Sequence, residues 1–143
     1  MTQGFDWVTA RAKCSLSQTF EELKAEVRRD VEIRKAMLPQ PPQPSPYTFN
    51  FKPTDRTFSV LLEGHKLHKT VEFTLEGTAI VARADGEIIW AATVGLNQEG
   101  HCMLRINDQD YEHWQARKMA LDKLFYIGLP NSDWFAQFGG HRP

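Results

Sequence analysis

Hydrophobic and polar residues alternate in five short runs between residues 57 and 106. Alternation with a period of two places the apolar side chains on one face of a strand, and glycines at or near the junctions suit tight connections. These glycines are Gly64, Gly77, Gly86 and Gly100. The pattern predicts five strands of an antiparallel meander, at about residues 57–63, 69–76, 78–84, 87–96 and 102–106.

One face of this predicted sheet is apolar and the other is mostly polar. In the second strand, for example, Val71 and Phe73 alternate with Glu72 and Thr74. Such alternation is typical of a sheet with one face against a core and the other in water. The apolar face is predicted to carry Phe58, Val60, Leu62, Val71, Phe73, Leu75, Ile88, Trp90, Ala92, Val94, Cys102, Leu104 and Ile106. The opposite face carries a partly apolar strip of Leu61, Val81, Ile89, Ala91 and Met103.

A helical period precedes the strands, and a second one follows them. Within residues 15–38, apolar side chains recur every three or four positions, which predicts one buried helix face. Two capping patterns overlap at its start, Ser15 with Gln18 and Thr19 with Glu22, and the sequence leaves both open. The apolar positions of this helix are Leu16, Phe20, Leu23, Val27 and Val31.

The second helix is predicted over residues 109–127, after a cap at Asn107 or Asp108 and before Gly128 and Pro130. Between the first helix and the sheet, residues 39–46 contain five prolines among three polar residues, which favours a stiff extended strap. Residues 47–56 are expected to continue this strap back along the helix. The apolar stripe of the second helix consists of Tyr111, Trp114, Leu121 and Phe125.

These elements predict a two-layer α+β fold with an N-terminal helix, a Pro-rich strap, a five-stranded antiparallel meander and a C-terminal helix on the same sheet face. The chain has 143 residues, about the length of one ordinary domain, so residues 1–143 are expected to form a single domain that includes the strap.

Composition and charge narrow the range of functions. Seventeen basic and eighteen acidic residues give a net charge of −1, so no nucleic-acid partner is expected. No apolar run approaches the roughly 18 residues needed to span a bilayer, and no leader pattern opens the chain. Cys14 and Cys102 are too few for a disulfide framework and form no C-x-x-C pair. We expect a cytoplasmic protein without a membrane partner, in which Cys102 is a small core residue.

His65 and His68 lie at the first hairpin connection, beside Lys66 and Lys69. Their spacing offers no third metal ligand, so an anion contact is the better functional interpretation, and a solvated basic turn is the structural one. No metal site is predicted.

The aromatic residues suggest a different site. Trp90, Trp114 and Tyr111 are expected to converge beneath the sheet, where they either fill the core or line an apolar ligand pocket with a few polar tips. Residues 132–138 are also rich in aromatics, and we expect this segment to pack on its own domain or on a second copy.

No catalytic or cofactor-binding motif is present, so catalytic residues stay unassigned and no cofactor is expected. The leading hypothesis is a non-enzymatic binding or interaction protein that self-associates through the partly apolar strip, with a small-molecule ligand as a further candidate partner. The alternative is a small hydrolase or isomerase of cone-shaped α+β type, which requires an inward-facing ionisable residue such as His101.

Overall fold

The computed structural model describes residues 4–38, 47–64 and 67–127, which form three helices and seven strands. The strands make one sheet in chain order, each antiparallel to the next. The helices are α1 (Trp7–Lys13), α2 (Leu16–Ala36) and α3 (His113–Phe125). The strands are β1 (Tyr47–Pro53), β2 (Thr57–Gly64), β3 (Leu67–Glu76), β4 (Ala79–Ala84), β5 (Glu87–Leu96), β6 (Cys102–Ile106) and β7 (Gln109–Tyr111). The predicted α+β class is confirmed, but five strands are too few.

The two additional strands lie at the two ends of the predicted meander. β1 uses residues that we assigned to the strap, and Phe49 and Phe51 on it pair with Leu62 and Val60 of β2. β7 uses residues that we assigned to the second helix. Asn107 and Asp108 both have positive φ, 51° and 65°, which suits a tight hairpin turn and not a helix cap. The Pro-rich segment 39–46 lies outside the described residues.

Side-chain caps fix where the two long helices begin. The Ser15 hydroxyl accepts a hydrogen bond of 3.1 Å from the Gln18 amide, so α2 begins at the first of the two predicted signals. At α3 the Glu112 amide donates to the Gln115 side chain at 2.8 Å. The second helix is therefore shorter than predicted, because the residues before Glu112 belong to β7.

The core lies between the sheet and the helices α2 and α3. Phe58 and Phe73 on neighbouring strands stack with ring centroids 4.7 Å apart, and Phe20 of α2 lies 5.0 Å from Phe58. Phe49 meets Phe125 of α3 edge to face at 5.2 Å. Each such pair contributes about 0.5–1.5 kcal/mol beyond the area it buries. Both helices are thus fixed to the same sheet face by aromatic contacts.

A β-bulge in β5 changes which isoleucine faces the core. Trp90 pairs with Ala82, whereas Ile88 pairs with Arg83, so Ile89 is an extra residue between them. Ile89 packs against the core cluster and Ile88 is 61% exposed. The predicted positions of these two isoleucines are therefore exchanged, because strict alternation does not hold across a bulge.

A disulfide joins Cys14, which follows α1, to Cys102 at the start of β6. The two Cα atoms are 5.4 Å apart although 88 residues separate them in the sequence. Cys102 is therefore half of a cross-link and not simply the small core residue that we predicted. Two unpaired cysteines were part of the basis for expecting a cytoplasmic protein, and this disulfide removes that part of the basis. In the described part of the chain, no helix has the length and apolar character needed to cross a membrane.

Candidate functional site

An ion cluster joins α2 to α3 on the outer side of the helical layer. The Arg117 guanidinium donates through Nε to Asp30 at 2.7 Å and through Nη1 to Glu26 at 3.1 Å. Its side chain is only 17% exposed, so this cation is largely removed from water and depends on both carboxylates. Since Glu26 and Asp30 are one turn apart on α2, Arg117 fixes the lateral position of the two helices.

His113 completes the cluster one turn before Arg117. Its Nδ1 lies 3.3 Å from the Glu26 carboxylate, while its Nε2 is inaccessible to solvent and has no hydrogen-bond partner within the described ranges. The tautomer with a proton on Nδ1 donates to Glu26 and leaves Nε2 as an unused acceptor. This pair resembles the oriented imidazole of a general base, but its free nitrogen cannot meet a substrate from solvent.

Arg34 forms the second connection between the helices, near their C-terminal ends. Its Nε donates to the Phe125 carbonyl oxygen at 2.7 Å, and its guanidinium lies 4.7 Å from the centre of the Tyr126 ring. A cation at the last carbonyls of a helix also complements the helix dipole. Because Glu26 faces His113 and Arg34 faces Phe125, α2 and α3 run parallel.

Between these two connections the helices leave an open groove of about 270 Å³. Its rim is unusually apolar for an outer surface: Met37 is 61% exposed and Trp114 is 53% exposed. We call this surface the α2–α3 face and define it by its four exposed apolar side chains, Ile33, Met37, Trp114 and Tyr126. Large exposed apolar side chains that share one groove mark an interaction site more often than single ones do.

The rim of the groove also carries two charges without partners. Lys118 and Asp122 lie one turn apart on α3 and both line the groove. Neither forms an ion pair with any described residue. The groove is therefore apolar along its length and carries one free charge of each sign.

A wider polar cleft opens at the other end of the ion cluster, at the start of α3. It is lined by Glu26, Glu112 and His113, and by His101 and Glu99 from the connection between β5 and β6. His101 is exposed at this cleft. The enzyme alternative required His101 beside the aromatics of the core, and the structure does not place it there.

The three predicted ligand-binding aromatics occupy different environments. Trp90 is buried in the core and its indole Nε1 donates to the Ala116 carbonyl oxygen at 3.0 Å. Tyr111 is half-buried on β7, and its hydroxyl donates to the Gln109 side chain at 2.8 Å. Only Trp114 of the three lines the α2–α3 groove. Ligand binding by these residues stays a prediction.

The predicted anion site is described only in part, because His65 lies outside the described residues. His68 is exposed on the outer face of β3, directly opposite Glu63 of β2. Lys69 follows on the other face of the same strand, opposite Leu62. The nearest cross-strand neighbour of His68 is therefore a carboxylate, and anion binding by the two histidines stays a prediction. No cluster of three or more potential metal ligands occurs in residues 4–38, 47–64 and 67–127.

Sequence reasoning missed most of the α2–α3 face. Ile33 and Met37 are four residues apart and lie off the predicted apolar stripe of the first helix, a spacing that could have indicated a second apolar surface. Which residues of α3 stand beside them depends on tertiary packing, for which the sequence contains no local signal.

Comparison with protein-family models, with curated proteins and with solved structures found no match.

Proposed function

We propose that this chain is a non-enzymatic interaction protein that associates with a second copy of itself through the α2–α3 face. The observation that carries the proposal is the exposure of Met37 and Trp114 on opposite rims of one groove. Tryptophan and tyrosine are enriched among the residues that dominate binding energy at protein interfaces, and Tyr126 stands at the end of the same groove.

A second copy suits this surface because its free charges are self-complementary. In a two-fold contact both copies use the same patch. If one residue of the first copy faces a different residue of the second, the same pair therefore forms a second time with the copies exchanged. Lys118 of each copy can then face Asp122 of its partner. This arrangement would neutralise both unpaired charges of the groove without any further protein.

The outer face of the sheet is a weaker candidate for self-association than the sequence suggested. Val81, at the centre of the predicted strip, is 5% exposed. Arg83 and Glu76 form a bidentate ion pair on the same face, and the pairing of β3 with β4 puts Val81 between them. Ile89 packs on the helical side. The strip therefore lacks two of its apolar members, which supports an interface on the helices.

The predicted small-molecule pocket has less support than a protein interface. The aromatic rings between sheet and helices pack directly on one another, as Phe73 does on Phe58 and Trp90. The groove of about 270 Å³ on the outer surface is open and smaller than the roughly 300–1,000 Å³ of typical small-molecule sites. Its size suits protruding side chains of a partner.

The test is the mass of the intact chain in solution, measured by native mass spectrometry and by light scattering over a range of concentrations. The parent is expected to be a dimer, and Trp114→Glu is expected to be a monomer because it places a charge in the interface. Ile88→Glu is the matched control, since Ile88 is 61% exposed, against 53% for Trp114, but lies on the sheet. A monomeric parent, or a Trp114→Glu variant with the mass of the parent, would refute the proposal.

A further inference from the structure

The groove is better suited to side chains that protrude from a partner than to a flat helix face. Its volume of about 270 Å³ is the size of one or two aromatic side chains. Two flat helical faces laid against each other would leave it partly empty, and an unfilled apolar groove forfeits the dispersion contacts of its walls. An interface built on this face therefore needs protruding aromatic groups that enter the groove.

We infer that residues 129–138 of each copy fill the groove of the other copy. This inference rests on the proposed self-association. This segment contains Trp134, Phe135 and Phe138, and it is outside the described residues. Aromatic side chains of this kind are the ones that most often enter apolar pockets at the centre of protein interfaces. Asp133 precedes Trp134 and adds a second negative charge of the partner, besides its Asp122, that can approach Lys118 on the rim.

Because α3 ends beside the groove, each segment has only a short distance to cover to reach the other copy. The described chain ends at Ile127, directly after Tyr126 on the groove rim. In a two-fold contact through the α2–α3 face, the C-terminal ends of both α3 helices are brought to the interface. Each segment therefore starts beside the groove of the other copy.

The length of the segment is sufficient for the crossing. The sequence has sixteen residues after Ile127, which reach about 50 Å when extended at about 3.3 Å per residue. The groove follows α3, whose 13 residues span about 20 Å at 1.5 Å each. Residues 128–133 can thus cross to the partner while Trp134 and Phe138 lie within its groove.

Photo-crosslinking of the full chain tests the inference directly. A benzophenone amino acid at position 37 is activated in a mixture of isotope-labelled and unlabelled protein, and the linked peptides are identified by mass. We expect peptides from residues 129–138 joined to position 37 of the other isotopic form. Crosslinks to this segment only within one isotopic form would show packing on its own domain and overturn the inference.

Substitutions in the segment separate this inference from the proposed function. Trp134→Ala with Phe138→Ala is expected to convert the dimer to a monomer, whereas the control His141→Ala with Arg142→Ala retains the dimer. If Trp114→Glu abolishes the dimer and the aromatic double variant keeps it, the self-association stands and the inference fails. If neither changes the mass of the parent, both fail. Circular dichroism of each variant verifies that it is folded.

Discussion

Arg117 of α3 donates a hydrogen bond of 2.7 Å from its Nε to the carboxylate of Asp30 on α2. The side chains are 17% and 26% exposed, and Arg117 also contacts Glu26. Eighty-seven residues separate Arg117 from Asp30 along the chain. This contact therefore sets how α2 and α3 lie beside each other, and with them the shape of the α2–α3 groove.

Removing this cation is expected to destabilise the protein. Arg117→Met should lower the free energy of unfolding by roughly 1–3 kcal/mol, between the values for exposed and for fully buried ion pairs, because two carboxylates lose their common partner. Urea denaturation measures this change, and a double-mutant cycle with Asp30→Asn isolates the coupling free energy between Arg117 and Asp30.

The control is Arg105→Met, which removes a more exposed ion pair with Asp110. Arg105→Met should lower the free energy of unfolding by no more than about 1 kcal/mol, as is usual for exposed ion pairs. Arg117→Met and Arg105→Met could lower the free energy of unfolding equally, or the cycle could show no coupling free energy between Arg117 and Asp30. Either result would show that the cluster does not hold the helices together.

Local patterns were sufficient for those elements of the fold whose own residues repeat. The alternation around Phe58 and Phe73, and the period that contains Phe20 and Val27, identify a strand pair and a helix that the structure contains. β7 was missed because three residues are too few for a period to appear. Ile89 was assigned to the wrong face because a bulge depends on the partner strand.

The α2–α3 face was harder to predict from the sequence than the fold, because its residues come from distant parts of the chain. Met37 lies off the predicted apolar stripe of the first helix, and Trp114 was expected beneath the sheet. They line a common groove only because α2 and α3 run parallel. The pairing of Cys14 with Cys102 is similar: two cysteines 88 residues apart give no spacing signal. Long-range contacts of this kind are set by packing and not by local periodicity.

The buried indole of Trp90 is expected to contribute more to the free energy of unfolding than an exposed indole does. Trp90→Phe removes the donor to the Ala116 carbonyl and leaves a gap in the core, which should cost roughly 1–3 kcal/mol of unfolding free energy. Trp7→Phe is the matched control, because Trp7 is 63% exposed and should change stability by less than about 0.5 kcal/mol. Thermal and urea unfolding provide the comparison. Similar losses for both variants would contradict the assignment of Trp90 to the core.

The outer face of the sheet should show a perturbed carboxyl. Hydrogen bonds from Arg83 hold the pKa of Glu76 below its ordinary value. Because the folded pKa is the lower one, the stabilisation is present above the unfolded pKa and is lost as pH falls through the folded pKa. An NMR titration should show this depressed pKa in the parent and a return toward the ordinary value in Arg83→Gln. The same Glu76 pKa in both proteins would mean that the ion pair does not persist in solution.

Reduction of the disulfide between Cys14 and Cys102 should produce a clear loss of stability. A cross-link that closes a loop of 88 residues restricts the unfolded chain strongly, and removing a native disulfide from a small domain typically costs about 2–5 kcal/mol. We expect the urea midpoint of the parent to fall when a reductant is added. The variant with Cys14→Ala and Cys102→Ala should already have the lower midpoint and should not respond to reductant. Thiol titration of the denatured parent should find no free thiol before reduction and two after it. Two free thiols in the untreated protein, or a midpoint that reductant leaves unchanged, would show that this cross-link does not stabilise the fold.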